Sequence, residues 1–369
     1  MRTGVHAGRR RAADHHRPRG HVRRRLPRGP GGPVTRAETG PTTDVAALLA
    51  DGRVALLEAV AQVDDLLRPG GARVLHLRLA DGFTLDVLPD RGLDLGPAWW
   101  RGVPVAWRSP HRADPGPGAG WEERFLGGLL ATCGPENIGP PTDGAGQHGS
   151  HHLTPATEVR WWREVTPTGV DVHVRGTVGY STLYGTRLVV EREIVAGTGR
   201  ARVEVRDEVR NDGDEPVGVP LLYHVNLGAP LLAPGSRLLL DGDPVTTTRE
   251  PLPPGREPLT MPDPATGAPA VVAEHRGLPV AGGRSRAVLP GPGARVVVEW
   301  SGDTLPRLCT WAWPARGAWV LGVEPTNAPL FGPDRDEPHH GAPLLAPGQT
   351  WRTGVAVEVV AGPDDGPTD

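Results

Sequence analysis

From Glu158 to Val209, apolar and polar residues alternate almost without a break, in EVRWW, VDVHVRGTV, TRLVVEREIV and ARVEVRDEV. A repeat of two is the side-chain period of a strand, so this region predicts antiparallel strands with one wetted face. The same pattern runs through Val74, Leu75, Leu77 and Leu79, turns at Asp81-Gly82 and resumes from Phe83 to Leu88, which reads as a hairpin. The Ala/Leu-rich stretch Val45–Leu67 predicts a short helix and then a strand. Val271–Glu299 and Trp351–Val360 return to strands, after a Pro-rich excursion over Pro244–Pro269. Two runs break the alternation. LLYHVNLGAPLL (Leu221–Leu232) and Ala318–Val323 are continuously apolar and read as buried strands. The first carries His224 and Asn226, and the second delivers Glu324 just before Pro325.

Composition sharpens this picture. With 51 Gly and 42 Pro in 369 residues, the chain favours many short strands and turns over a helical bundle. An all-β domain is expected over residues 45–362, with a polar tail over 363–369. Residues 1–44 are Arg-rich and lack apolar periodicity, so a disordered tail is expected there. Val34, which opens VTRAETG, is the expected native start, because a valine-type codon serves as a bacterial start. The net charge of -3 offers no field for nucleic acid. No apolar stretch approaches the ~20 residues of a membrane span, and a cytoplasmic location is expected.

Every basic residue is Arg. That removes lysine Schiff-base chemistry, pyridoxal-phosphate catalysis and the lysine of a phosphate-binding loop. Cys133 and Cys309 stand far apart and in no CxxC, which speaks against a zinc site or a disulfide framework. There is no GxSxG to suggest a serine hydrolase.

The candidate chemistry lies at strand ends. A His and an Asn there suit a polar ligand, although a lone His is also often a core residue bonded to a carbonyl. A carboxylate at the end of a buried strand is costly unless paired or used, and burial would raise its pKa toward the range of a general base. Glu324 is therefore either such a base or half of an ion pair with an arginine. Pro89–Pro110 gathers Arg91, Asp94, Trp99, Trp100, Trp107 and Arg108, a mixture that suits a sugar: indole faces for its CH groups and forked donors for its hydroxyls. The alternative is a Trp-rich core with surface arginines. FLGGLLATCGPENIGPP (Phe125–Pro141) supplies small residues and Asn137. The spacing of His148, His151 and His152 could suggest a metal, but zinc needs convergent ligands on a rigid element. His148 as a ligand-facing donor is the preferred reading, with no metal.

Taken together, PDRGLDLGPAWWRGVPVAWRSP, GLLATCGPENIGPP, HGSHHLTPA, LYHVNLGAPLL and LGVEPTN resemble the aldose 1-epimerase (galactose mutarotase-like) superfamily. More closely, the chain looks like a bacterial branch of it described as a domain of unknown function. The resemblance spans about Arg73 to Val360. It implies an antiparallel β-supersandwich with a concave sugar cleft. Carried over by motif, the family's catalytic positions fall on Glu324, His224 and His148. Arg91 or Arg108 would contact sugar, with Trp107, Asn137 and Asn226 as further binding residues. HVNLG stands where mutarotases have HPYFNL, and VEPTN where they have LETQN, so the sugar is not fixed by the likeness.

The resemblance implies mutarotation without metal or nucleotide. Glu324 would take the proton of the anomeric hydroxyl, and His224, on the other side of the ring, would protonate the ring oxygen. A non-catalytic sugar-binding protein, or another epimerase or lyase reaction, are the alternatives on the same fold.

Overall fold

The computed structural model describes residues 43–142 and 144–362. The tails expected over 1–44 and 363–369 thus lie outside the described residues, apart from positions 43 and 44. A one-and-a-half-turn helix, Val45–Ala50, opens the described chain, with the Asp44 side chain accepting from the Ala47 N–H at 2.9 Å. The strand Ala61–Leu67 follows, as the sequence predicts.

Two large antiparallel sheets make most of the fold, and a two-stranded one joins Val217–Gly218 to Leu344–Leu345. The eleven-stranded sheet runs in the order Ala61–Leu67, Arg73–Leu79, Phe83–Leu88, Asp94–Trp100, Leu130–Cys133, Leu222–Gly228, Val320–Thr326, Arg307–Trp313, Val271–Arg276 and Val245–Thr248, with Val103–Pro104 paired to the fourth. The Pro-rich excursion thus contributes an edge strand. The eight-stranded sheet contains the alternating region: Thr157–Thr166, Gly169–Ser181, Arg187–Gly197 and Arg202–Asn211 are successive neighbours, and Arg202–Asn211 also pairs with the final strand, Thr350–Ala361.

Alternation decides what each sheet gives to the core. Val172, Val174, Ile194, Val203, Val205, Val296 and Val298 from the smaller sheet meet Leu75, Leu77, Leu85, Val225, Leu227 and Val323 from the larger one in a single buried cluster. Each such side chain contributes about 1.5–3 kcal/mol by leaving water. The two continuously apolar runs differ because both their faces are covered. Every residue of Leu222–Gly228 and Val320–Thr326 is buried. Tyr223, Val225, Leu321 and Val323 face the inter-sheet core, which leaves His224, Asn226, Gly322 and Glu324 on the opposite face. Loops from the first half of the chain, together with Leu330 and Phe331, line a cavity over that face. No described helix is long and apolar enough to cross a membrane.

Candidate functional site

The cavity has a volume of about 560 Å³. Its floor is the seam between the Leu222–Gly228 and Val320–Thr326 strands. The pairing places Val225 opposite Val323, so His224 and Glu324 are cross-strand neighbours on the cavity face. His224 Nε2 lies 3.2 Å from Glu324 Oε1. The two are only 3% and 2% exposed. The register sets the expected acid and base side by side across one strand seam.

Burial governs their protonation. It raises the Glu324 carboxyl to about 8 and lowers the His224 imidazole to about 3. The Asn226 amide lies beside the ring and opposes the His224 shift, though neither Asn226 Oδ1 nor His224 Nδ1 completes a hydrogen bond with a described residue. At neutral pH the pair is uncharged, with a protonated Glu324 carboxyl beside a neutral His224. The seam also needs a glycine. A Cβ on Gly322 would stand 2.3 Å from Glu324 Oε1 and 3.2 Å from His224 Cε1.

The walls are aromatic. Trp311 and Phe125 lie 5.6 and 5.3 Å, centroid to centroid, from the His224 ring. Trp107 meets Trp311 edge-on at 5.9 Å, and Trp313 and Trp121 extend the lining. Such faces take the CH side of a sugar ring and leave its hydroxyls to the polar floor.

His148 enters from the side, 4.3 Å from the Trp121 ring and 6.1 Å from His224. Its Nδ1 accepts from the Gly139 N–H at 3.1 Å. Burial holds the ring well below its ordinary pKa, so the neutral ring carries its proton on Nε2 and acts as a donor there. Asn137 shapes the loop that presents it. The Asn137 amide donates to the carbonyls of Pro140 and Gly146 at 2.8 and 2.9 Å, and its oxygen accepts from Arg335 at 2.7 Å.

Of the residues singled out in the sequence, Glu324, His224, His148 and Trp107 line this one cavity. Asn137 and Asn226 stand behind it. Asn226 is wholly buried and donates to the carbonyls of Gly128 and His224. Arg91 does not line the cavity. It binds Asp114, which also accepts from Arg124 at 2.9 Å, and so anchors the segment that carries Trp121. Arg108 is exposed and borders a separate depression beside Trp99 and Trp319. The three imidazoles at 148, 151 and 152 diverge: His151 Nε2 bonds the Gly92 carbonyl at 3.1 Å, and His152 lies edge-on to Trp121.

Sequence reasoning passed over Trp121, Trp311, Trp313, Arg249 and Gly322, all at or under the cavity. For three of these a signal existed. Trp311 and Trp313 are two apart on one strand and so share a face, and Gly322 stands two residues before Glu324, where a strand glycine marks a close approach.

Residues 69–359 match the family model described as Domain of unknown function (DUF4432), and the chain belongs to that family. None of the curated proteins compared matches it. Among solved structures, it resembles an aldose 1-epimerase candidate from Klebsiella pneumoniae, with 20% identity and a TM-score of 0.71 over 81% of this chain and 83% of that one. It also resembles a galactose mutarotase-like protein from Clostridium acetobutylicum, with 15% identity and a TM-score of 0.59 over 82% of this chain and all of that one. An aldose 1-epimerase candidate from Escherichia coli K12 gives 16% and 0.52, over 76% and 97%. These likenesses establish the galactose mutarotase-like fold.

Proposed function

We propose that the protein interconverts the anomers of a sugar by proton transfer between the substrate and the His224–Glu324 pair. The observation that carries this reading is their contact of 3.2 Å on the floor of an aromatic-walled cavity. The two oxygens that exchange protons in a cyclic hemiacetal sit on one carbon. Two groups side by side can therefore reach one oxygen each. In ring opening, the Glu324 carboxyl gives its proton to the ring oxygen as the bond from that oxygen to the anomeric carbon breaks. His224 takes the proton of the anomeric hydroxyl, which becomes a carbonyl. After rotation about the neighbouring carbon–carbon bond, reclosure on the other face reverses both transfers. This order exchanges the roles expected from sequence, because burial favours a protonated Glu324 and a neutral His224. The His148 Nε2–H would hold a substrate oxygen, and Trp311 and Trp107 the apolar ring face. Names given to the structural relatives point the same way.

Anomer exchange followed by proton NMR, across neutral, phosphorylated and acidic aldoses, tests the proposal. Acceleration is expected with at least one sugar. Glu324→Gln is expected to lose about 10²–10⁴-fold in rate while still binding. Sugar binding without accelerated exchange by the parent would assign the protein to the non-catalytic class instead.

A further inference from the structure

Directly behind the candidate pair, between the sheets, lies a second polar cluster that the proposed chemistry does not use. Its centre is Arg192, fully buried in the Arg187–Gly197 strand of the smaller sheet. A guanidinium has five N–H donors, and here each has an acceptor. Nε and one Nη2 proton bind Asp207 at 2.8 and 2.7 Å. The second Nη2 proton goes to Thr132 Oγ1 at 3.0 Å, and Nη1 serves Asp94 Oδ1 at 2.7 Å and the Gly92 carbonyl at 3.0 Å.

Two chains of contact lead forward from this fork. Asp207 accepts from the Tyr223 hydroxyl at 2.6 Å, and Tyr223 is the residue before His224. Thr132, which also binds Asp94 through its hydroxyl at 2.7 Å and its N–H at 2.8 Å, pairs with Tyr223, as its neighbour Ala131 pairs with His224. The other chain runs through the Gly92 carbonyl, which also accepts from His151 Nε2 at 3.1 Å. That bond fixes the His151 tautomer, so Nδ1 accepts from the Tyr180 hydroxyl. The His151 N–H bonds the Gly134 carbonyl at 2.9 Å, and the Gly134 N–H bonds the His148 carbonyl at 3.1 Å.

Stability alone is a poor reason for this cluster. Replacing a buried ion network with apolar residues is often neutral or stabilising, and the surrounding inter-sheet core is already apolar. What a saturated, five-way fork supplies is geometry. We propose that Arg192 is a positioning residue for the proposed reaction, setting His224 through Asp207 and Tyr223, and His148 through Gly92 and His151. The inference rests on the functional reading above, but its structural core can be measured without it.

The test compares Tyr223→Phe and Arg192→Lys with the parent, using imidazole ¹⁵N and ¹³C shifts of His224 and His148 alongside exchange kinetics. Tyr223→Phe deletes one hydroxyl and leaves the fork intact. It is expected to move the His224 ring resonances and leave those of His148 in place, while kcat falls roughly ten- to a hundredfold with little change in KM. Arg192→Lys keeps the charge but offers three donors for five acceptors, and is expected to move both rings. Parent-like His224 shifts and parent-like kcat in a folded Tyr223→Phe protein, with only a lowered Tm, would overturn the proposal and leave the cluster a purely structural device. If the parent accelerates no anomer exchange, the functional reading fails, and the ring shifts alone decide the positioning claim.

Discussion

Tyr223 and His224 are consecutive residues on one fully buried strand, and they face opposite ways into two quite different polar environments. Behind the strand, Tyr223 enters the Arg192 cluster, where every guanidinium N–H has an acceptor. In front, His224 Nδ1 and Glu324 Oε1 are buried yet complete no hydrogen bond with any described residue. A buried polar group left unmet costs about 1–3 kcal/mol, so natural cores rarely keep one without a use. The closed cluster is finished by the chain itself. The open one adjoins a cavity of about 560 Å³, where a polar ligand could meet it. The difference teaches how to read buried polar residues here: saturation marks scaffold, and unmet capacity beside space marks a site.

The contrast can be broken most severely at Gly322. Its missing Cβ keeps Glu324 beside His224, and Gly322→Ala would force the carboxylate aside. We expect anomer exchange to fall roughly 10²-fold, as a displacement of about 1 Å can cost that much, with ~1–3 kcal/mol lost from overpacking. Parallel rate and denaturation measurements check both parts. His148→Asn comes next. His148 has φ 60°, a left-handed conformation that Asn tolerates, so the loop should survive while the Nε2 donor is lost. Exchange should fall about tenfold or more, with the far-UV circular dichroism unchanged.

Glu324→Gln tests the environment rather than the rate. The carboxyl pKa is raised from an ordinary 4.5 to about 8 by burial. Its neutral form is favoured in the folded state, so its contribution is fully present below about 4.5 and is lost as pH rises toward 8. Gln carries no such charge. The Tm of the variant relative to the parent should therefore climb steadily between those limits, and a pH-independent difference would mean that Glu324 is not desolvated. Smallest of all should be Arg108→Ala. The side chain is exposed and away from the cavity, so stability should change within ~0.5 kcal/mol and exchange should stay at the parent rate.

Much of the fold was legible in the sequence because alternation is a local signal. The runs from Glu158 to Val209 became neighbouring strands of one sheet, and the Val74–Leu88 hairpin formed as its turn suggests. The site was legible where motif and strand end coincide, and the structure brings His224, Glu324 and His148 to a single cavity. The partners of Arg192 were not legible. They come from three separate stretches of chain, up to 100 residues from Arg192, and nothing in the local sequence of EREIV distinguishes the buried Arg from its half-buried neighbours. Arg91 and Arg108 show the converse limit. Their setting among tryptophans suggested sugar contacts, but which way a side chain faces depends on register and loop path, and these take Arg91 to Asp114 and Arg108 to the surface.

The most direct test of the account is the pH dependence of kcat/KM for anomer exchange, since this ratio reports the ionisations of the free enzyme. If the pair works with its proton on Glu324 and a neutral His224, kcat/KM will hold steady through neutrality and fall as pH passes about 8. A ratio that instead rises through that pH would make the Glu324 carboxylate the base and contradict the proton placement on which the mechanism rests.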